Sequence, residues 1–294
     1  MRDRVADWSE RARLLDVGGE DVAVFDVGPL GRDTSEPPLL VIHGFPTSSI
    51  DFALALDALS ADRRVILLDL PGYGLSAKRD RAYSLFRQAD VVEAVASDAD
   101  VTEVDLLTHD MGDSVGGELL ARDLDGELSF RVRRRVLSNG SIYLDLAQLT
   151  PGQQLLRQLP DESLAEEAAP DVEALIAALA DLCAPAARDG SRDHLRAGAE
   201  LVTLHGGNRL LPRLIRYLDE RAEHEDRWTG AVERHPAPLA VVWGRHDPVA
   251  VAAMVDRLVE RRTDTPVTWL DAGHWPMIEQ PDRFAEAVLD GLPG

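Results

Sequence analysis

The sequence predicts an α/β fold in which a mainly parallel, doubly wound sheet carries an inserted helical cap. Continuous apolar runs of strand length recur along the chain, and helical stretches separate them at the interval typical of βαβ units. Between residues 140 and 236 this rhythm stops. With 294 residues, of which 45% are hydrophobic, the chain is long enough for one large core with an inserted subdomain.

Eight strands are predicted, the first two as a hairpin around Gly18 and Gly19. Most of the others are continuous apolar runs, which are typical of strands that are buried on both faces. In chain order the eight segments are "ARLLDV", "DVAVFDV", "PLLVIHG", "RRVILLDLPG", "EVDLLTHD", "RRRVLSNG", "LAVVWGRHD" and "TPVTWLDAGH". Predicted helices between them cover Ser49 to Leu59, "SLFRQADVVEAVA" and "GGELLARDL".

The interval from 140 to 236 predicts several helices punctuated by proline and glycine, and no strand. We interpret it as a helical cap inserted into the sheet domain. The chain then divides into a first core segment, 1–139, the cap, 140–236, and a second core segment, 237–294. A lid over the carboxyl ends of the strands is where such a fold encloses a ligand.

Charge and composition exclude several classes of partner. The formal net charge of −21 disfavours nucleic acid and anionic membrane surfaces, because polyanions repel it at long range. The first residues contain scattered charges and no apolar signal region, and no window elsewhere reaches a membrane span. Cys183 is the single cysteine, which rules out an internal disulfide and a cysteine-based metal cluster. We expect a cytoplasmic protein without a cofactor or metal.

The turn after the fifth strand, "THDMGDSVGG", contains two overlapping nucleophile motifs. One is G-x-S-x-G centred on Ser114, and the other fits the same sharp turn around Asp110. The apolar run of the strand ends at Leu107, which puts Asp110 at the apex and Ser114 one helical turn later. A turn centred on Ser114 would instead bury charged residues beside the strand without partners. The register therefore favours an aspartate nucleophile.

Partners for a nucleophile follow later in the chain, in the order acid and then histidine. Asp247 ends the segment "LAVVWGRHD", and His274 ends "TPVTWLDAGH". Because the carboxyl ends of parallel strands meet at one edge of a sheet, we expect both residues to lie near Asp110. The three side chains would form a catalytic triad.

These motifs resemble a known superfamily over nearly the whole chain. The segments that carry the resemblance are "HGFPTSS", "DLPGYGLS", "HDMGDS", "WGRHDPV" and "AGHWPMIEQPDRF". They are similar to the α/β-hydrolases, specifically to the branch of epoxide hydrolases and haloalkane dehalogenases that use an aspartate nucleophile. The segments "HDMGDSVGGELLAR" and "GGNRLLPRLIRYLDERAEHEDRWTGAV" also resemble the hydrolase-like proteins of the mesoderm-specific transcript group.

The resemblance implies roles for further residues. Backbone N–H groups of Phe45 and Met111 would form the oxyanion hole. In dehalogenases of this type an indole N–H follows the nucleophile and often an Asn follows the HG pair, but here Met111 and Phe45 occupy those positions. Epoxide hydrolases protonate the ring oxygen with cap tyrosines, and Tyr217 is the expected second one, with Tyr143 a candidate for the first.

The sequence thus predicts a cofactor-independent hydrolase that opens epoxides through an aspartyl ester, with a small apolar organic substrate and water as its partners. Three alternatives stay open. The protein could be a haloalkane dehalogenase with an atypical halide site, a carboxylesterase that uses Ser114, or a ligand-binding protein that keeps the fold without turnover.

Overall fold

The computed structural model describes residues 4–29, 36–140 and 142–292. Eight strands form one sheet, in the order β1-β2-β4-β3-β5-β6-β7-β8. The strands are β1 (Arg13–Asp16), β2 (Asp21–Val27), β3 (Leu39–Ile42), β4 (Val65–Leu68), β5 (Glu103–His109), β6 (Arg131–Ser138), β7 (Leu239–Gly244) and β8 (Val267–Leu270). The first two pairings, β1 with β2 and β2 with β4, are antiparallel, and the remaining five are parallel. This arrangement confirms the predicted fold class.

Burial explains why the central strands read as unbroken apolar runs. Every residue of β3 and β4 is buried because helices cover both faces of the sheet there. β1 lies at the sheet edge and exposes most of its side chains. The parallel strands direct their carboxyl ends to one edge of the sheet, and the turns after β3, β5, β6, β7 and β8 meet at that edge.

Thirteen α-helices occur in the described ranges. They are α1 (Arg4–Ser9), α2 (Leu56–Leu59), α3 (Leu85–Asp98), α4 (Gly112–Asp125), α5 (Pro151–Gln158), α6 (Val172–Ala180), α7 (Arg188–Thr203), α8 (Leu211–Leu214), α9 (Tyr217–Glu223), α10 (Glu225–Arg234), α11 (Ala252–Arg261), α12 (Pro276–Glu279) and α13 (Pro281–Asp290). The helix expected from Ser49 to Leu59 is instead a 3₁₀ turn over Ser49–Phe52 followed by the short α2. The backbone at the start of the 3₁₀ turn is fixed by a hydrogen bond from the Ser49 N–H to the Asp69 carboxylate.

The interval between β6 and β7 contains helices α5 to α10 and no strand among its described residues. Helices α6 and α7 pack on each other, and α5 packs on α8. The last helix, α10, lies against α4 of the sheet domain, where the Trp228 indole N–H donates to Glu118 Oε2 at 2.8 Å. The last helix of the insertion therefore packs on the sheet domain, and we refer to the whole interval as the cap. Within the described ranges, no helix combines the length and apolarity needed to cross a bilayer.

Candidate active site

The turn between β5 and α4 brings Asp110 to its apex. β5 ends at His109 and α4 begins at Gly112, and Asp110 has a left-handed backbone with φ of 51°. A Cβ at Gly112 would lie 2.4 Å from the Ile42 carbonyl oxygen, so only glycine lets the helix start this close to β3. Such a strained turn is the geometry of a nucleophile elbow.

Ser114 lies on the first turn of α4, where its backbone N–H donates to the Met111 carbonyl. Its hydroxyl is buried and has no hydrogen-bond partner among the described residues. It lines a small cavity with Arg221 and Trp228, away from the cavity that His274 lines. No histidine of the site is therefore positioned to activate this hydroxyl.

The two carboxylate oxygens of Asp110 have different surroundings. Oδ2 accepts the backbone N–H of Phe45 at 2.8 Å, and the Met111 N–H also binds the carboxylate. Oδ1 lies 3.8 Å from His274 Nε2. Burial raises the pKa of Asp110, while the His274 charge and these two N–H groups counteract the rise. Two backbone donors thus bind the carboxylate, the Phe45 N–H at Oδ2, while Oδ1 faces the histidine.

His274 follows β8 and pairs with Asp247, which follows β7. Its Nδ1 lies 2.7 Å from Asp247 Oδ2, so the carboxylate fixes the orientation of the ring. Burial disfavours the imidazolium, but the charges of Asp247 and Asp110 outweigh it and raise the pKa of His274 to about 9. The imidazolium form of His274 is therefore favoured at neutral pH.

Asp247 is held in place by three hydrogen bonds besides the one from His274. Its Oδ1 accepts the backbone N–H groups of Val249 at 2.7 Å and Ala250 at 3.0 Å. Its Oδ2 accepts Asn139 Nδ2 at 2.7 Å, and the Asn139 side-chain oxygen accepts the Gly244 N–H at 2.9 Å. Asn139 follows β6 directly, has a left-handed φ of 48° and was missed by the sequence analysis. A polar residue directly after a buried parallel strand is the signal that could have found it.

A cavity of about 470 Å³ lies between the sheet domain and the cap. Phe45 and His274 line it from the sheet side. Leucines dominate the cap side, among them Leu156, Leu175 and Leu179. The size is that of a small-molecule site, and the lining favours an apolar ligand next to the polar catalytic edge.

Tyr217 begins α9 and is buried beside the site. Its ring centroid lies 5.8 Å from that of Phe45. Burial and the negative charge of Asp110 raise its pKa well above the ordinary value, so the hydroxyl stays protonated and can donate. The cap thus presents one tyrosine near Asp110.

The structure does not bring Tyr143 to this place, which corrects its selection as a cap hydroxyl. Its hydroxyl donates to Glu233 Oε1 at 2.9 Å, and the Arg257 guanidinium stacks 4.8 Å from its ring centroid. The segment after β6 turns toward α10, because Leu144 N–H and the Thr229 hydroxyl make further hydrogen bonds between these two parts.

A different tyrosine, Tyr73, lies beside the site, in the segment that follows β4. Its hydroxyl contacts Met111 Sδ at 3.3 Å, and a thioether is a weak acceptor. Together with Met111 and Tyr217 it lines a small cavity, and the charge of Asp110 adds to burial in raising its pKa. The tyrosine in the segment "DLPGYGLS" is the signal from which the sequence could have suggested a second hydroxyl. Only the folded chain shows that it lines the same cavity as Tyr217.

Three indole N–H groups of the chain are bound to protein acceptors. Trp228 donates to Glu118, Trp243 to the Ala250 carbonyl and Trp275 to the Leu179 carbonyl. Trp275 follows His274 directly, yet its N–H is used to bind the cap. Nor do the described residues contain a group of three or more His, Cys, Asp or Glu side chains that could hold a metal ion.

Comparison with known proteins identifies the class that this sheet and site define. Residues 39–287 match the alpha/beta hydrolase family, so the chain belongs to that family and is a hydrolase that uses water on a small-molecule substrate.

Three relatives show how the chain is placed within the family. It is 42% identical to LipZ of Mycobacterium tuberculosis, which is named as a hydrolase, over 98% of both chains. It is 28% identical to the Homo sapiens mesoderm-specific transcript homolog protein, over 96% of this chain and 86% of that protein. A haloalkane dehalogenase of Agrobacterium fabrum is 30% identical over 45% of this chain and 44% of its own. The resemblance to these last two groups is confirmed.

Proposed function

We propose that this hydrolase opens epoxides to diols through a covalent ester on Asp110. The observation that carries the proposal is that the two carboxylate oxygens of Asp110 have different surroundings. Oδ2 accepts the backbone N–H of Phe45, the Met111 N–H also binds the carboxylate, and Oδ1 lies 3.8 Å from His274 Nε2. A carboxylate nucleophile needs this arrangement, because one oxygen attacks while the other must later hold the negative charge of a tetrahedral intermediate.

In the first half-reaction, Asp110 Oδ1 attacks a ring carbon of the epoxide. A new C–O ester bond forms, the ring C–O bond breaks, and its electron pair goes to the ring oxygen. That oxygen takes a proton from a tyrosine hydroxyl, which becomes a phenolate. The ionised state of Asp110 at neutral pH is favoured by the His274 charge beside it.

In the second half-reaction, water attacks Cγ of the Asp110 ester and His274 Nε2 takes its proton. The negative charge then develops on Oδ2, which the Phe45 N–H binds and to which the Met111 N–H of the same carboxylate would also donate, each donor contributing a few kcal/mol to the transition state. Collapse of the intermediate breaks the bond to the substrate oxygen, which takes the proton of the hydroxyl that water added to Cγ and leaves as the diol, so that Asp110 is again a carboxylate. His274, which lost a proton to solvent once the ester formed, keeps the proton that it took from water, and solvent reprotonates the phenolate, so the enzyme is regenerated.

Tyr217 is the proposed acid for the ring oxygen, with Tyr73 as a second donor. Both line the small cavity beside Met111, and burial together with the charge of Asp110 keeps both hydroxyls protonated. Tyr73 takes the role that the sequence analysis gave to Tyr143. Its hydroxyl has only a thioether to bind in the described structure, which leaves it free to donate to a substrate oxygen.

Haloalkane dehalogenation is the nearest competitor, since a dehalogenase is among the relatives. A departing halide needs N–H donors in an otherwise apolar pocket. The indole N–H groups of Trp228, Trp243 and Trp275 are engaged with protein acceptors, and Met111 offers none. An ester hydrolysis through Ser114 is disfavoured because that hydroxyl has no hydrogen-bond partner among the described residues, and therefore no general base bound to it.

Isotope labelling tests the nucleophile. In a single turnover in heavy-oxygen water with enzyme in excess, an aspartyl mechanism leaves the label in the Asp110 peptide, because water attacks the carboxyl carbon of the enzyme. Mass analysis of that peptide is the measurement. Confirmed turnover without label on it would refute the proposal. His274→Gln should accumulate the covalent ester, since alkylation survives and hydrolysis stops.

Tyrosine variants test the reaction class. Tyr217→Phe should slow ester formation from an epoxide by about 10²-fold or more, the scale of a positioned general acid. Tyr73→Phe should slow it further in the double variant. Tyr143→Phe is the matched control, because it removes a hydroxyl that is bound to Glu233. Two results together would refute the epoxide proposal in favour of haloalkane dehalogenation. They are rapid bromide release from a 1-bromoalkane by the wild type, and epoxide kinetics that are unchanged in the Tyr73→Phe, Tyr217→Phe double variant.

A further inference from the structure

A second buried polar cluster lies beside the elbow, and the reaction above does not use it. Asp113 and Ser114 belong to the first turn of α4, and Arg221 belongs to α9 of the cap. All three side chains are at most 5% exposed. They line one small cavity with Trp228 and Val232. The cluster therefore stands where the cap meets the elbow helix.

Four polar atoms of this cluster have no hydrogen-bond partner among the described residues. They are both carboxylate oxygens of Asp113, the Ser114 hydroxyl and Arg221 Nη1. Thr108 comes near enough to lower the pKa of Asp113 without reaching hydrogen-bond geometry. Buried polar groups are nearly always paired, so four unpartnered atoms around one cavity indicate a bound molecule.

The size and chemistry of the cavity identify that molecule. Its volume of about 10 Å³ corresponds to a single water-sized probe, which is too small for an organic ligand or a hydrated ion. Arg221 supplies a donor, Asp113 supplies acceptors, and the Ser114 hydroxyl can do either. A water molecule needs two to four such partners, and the cavity has them.

We propose that one buried water joins Asp113 and Ser114 of α4 to Arg221 of α9 and so fixes the cap on the elbow helix. Arg221 stands four residues after Tyr217 on the same helix, which puts both side chains on one face of α9. The water bridge would therefore set where the Tyr217 hydroxyl lies relative to Asp110. Arg221 is a positioning residue, and its effect on Tyr217 chemistry rests on the proposed function, whereas the bridge itself does not.

A high-resolution crystal structure of the full chain tests the bridge directly. We expect density for one water within hydrogen-bond distance of Arg221 Nη1 and of Asp113 or Ser114. Density for none, or direct contact between Asp113 and Arg221, would overturn the inference. This result does not depend on what the enzyme hydrolyses.

Hydrogen exchange tests whether the bridge holds the cap. In Arg221→Met and in Asp113→Ala, the amides of α9 should exchange about tenfold faster or more, while those of β5 keep their protection. The double variant should exchange no faster than either single one, because both changes remove the same bridge. Asp113→Asn keeps a side chain that can bind the water, and the amides of α9 should exchange in it as slowly as in the wild type. Glu223→Met, an exposed position on the same helix, is the matched control. Additive effects, or loss of protection spread through the sheet, would contradict a local bridge.

Kinetics test the link to Tyr217. Arg221→Met should slow ester formation from an epoxide but leave hydrolysis of the ester unchanged, and it should add nothing in a Tyr217→Phe background. If Arg221→Met slowed ester formation equally in the wild type and in Tyr217→Phe, the positioning role would be refuted. If the wild type turns over no epoxide at all, the proposed function fails, and the crystallographic and exchange results still decide the bridge.

Discussion

Replacement of Asp110 by Asn should lower the pKa of His274, because it removes a negative charge 3.8 Å from Nε2. At that distance and an effective dielectric of about 20, two unit charges interact by about 4 kcal/mol, or about 3 pH units. Asp247 contributes more than Asp110 to the raised pKa, and the charge of Asp110 is spread over two oxygens. We therefore expect a fall of about 1–2 units from the value of about 9.

The same shift should occur during turnover, because the Asp110 ester is neutral like the Asn side chain. His274 would be a cation while Asp110 is ionised, and would lose its proton more readily once the ester forms. The base that the second half-reaction needs would thus be produced by the first half-reaction. Asp110→Asn isolates that electrostatic change without any substrate.

Proton NMR of isotope-labelled histidines across about pH 5–10 measures the pKa of His274, with its resonance assigned by comparison with His274→Gln. Asp271→Asn is the control, since that carboxylate is exposed and binds His246 rather than His274. A His274 pKa that is the same in wild type and Asp110→Asn would refute the coupling. A fall in Asp271→Asn as large as in Asp110→Asn would show that the effect is not specific to the nucleophile.

Other predictions concern stability and the support of the triad. Asn139→Ala should reduce ester hydrolysis by about 10-fold or more, because it removes a hydrogen bond to the Asp247 carboxylate; stopped-flow decay of the ester measures this. Burial raises the pKa of Asp113 to about 8, so the native state keeps a proton that the unfolded state loses above about pH 4. Stability should therefore fall between about pH 4 and 8, and urea unfolding of Asp113→Asn should show a shallower fall, by up to about 1.4 kcal/mol per pH unit. An identical slope in both proteins would contradict the buried proton. Ser114→Ala should retain epoxide turnover in a steady-state assay, whereas loss of turnover with an intact fold would point to a serine mechanism.

The sequence by itself determined the sheet and the edge at which the chemistry lies. Strands that are buried on both faces appear as local apolar runs, so their ends can be read without knowing the rest of the chain. Asp110, Asp247 and His274 each follow such a run, and parallel pairing brings the three strand ends to one edge. The apex of the elbow could be chosen for the same reason, since the register of β5 is fixed by its burial.

Only the tertiary structure decided which cap and loop residues reach the site. Tyr143 and Tyr73 are both single aromatics in loops, and nothing in their neighbouring residues distinguishes the one that binds Glu233 from the one that meets Tyr217. Likewise, Arg221 lies among charged residues in the helix sequence "YLDERAE", which is typical of an exposed helix face, but it is buried against α4. Helical periodicity specifies which face of a helix is apolar, but not the element against which that face packs. The partner is chosen by long-range packing of the whole cap on the sheet domain.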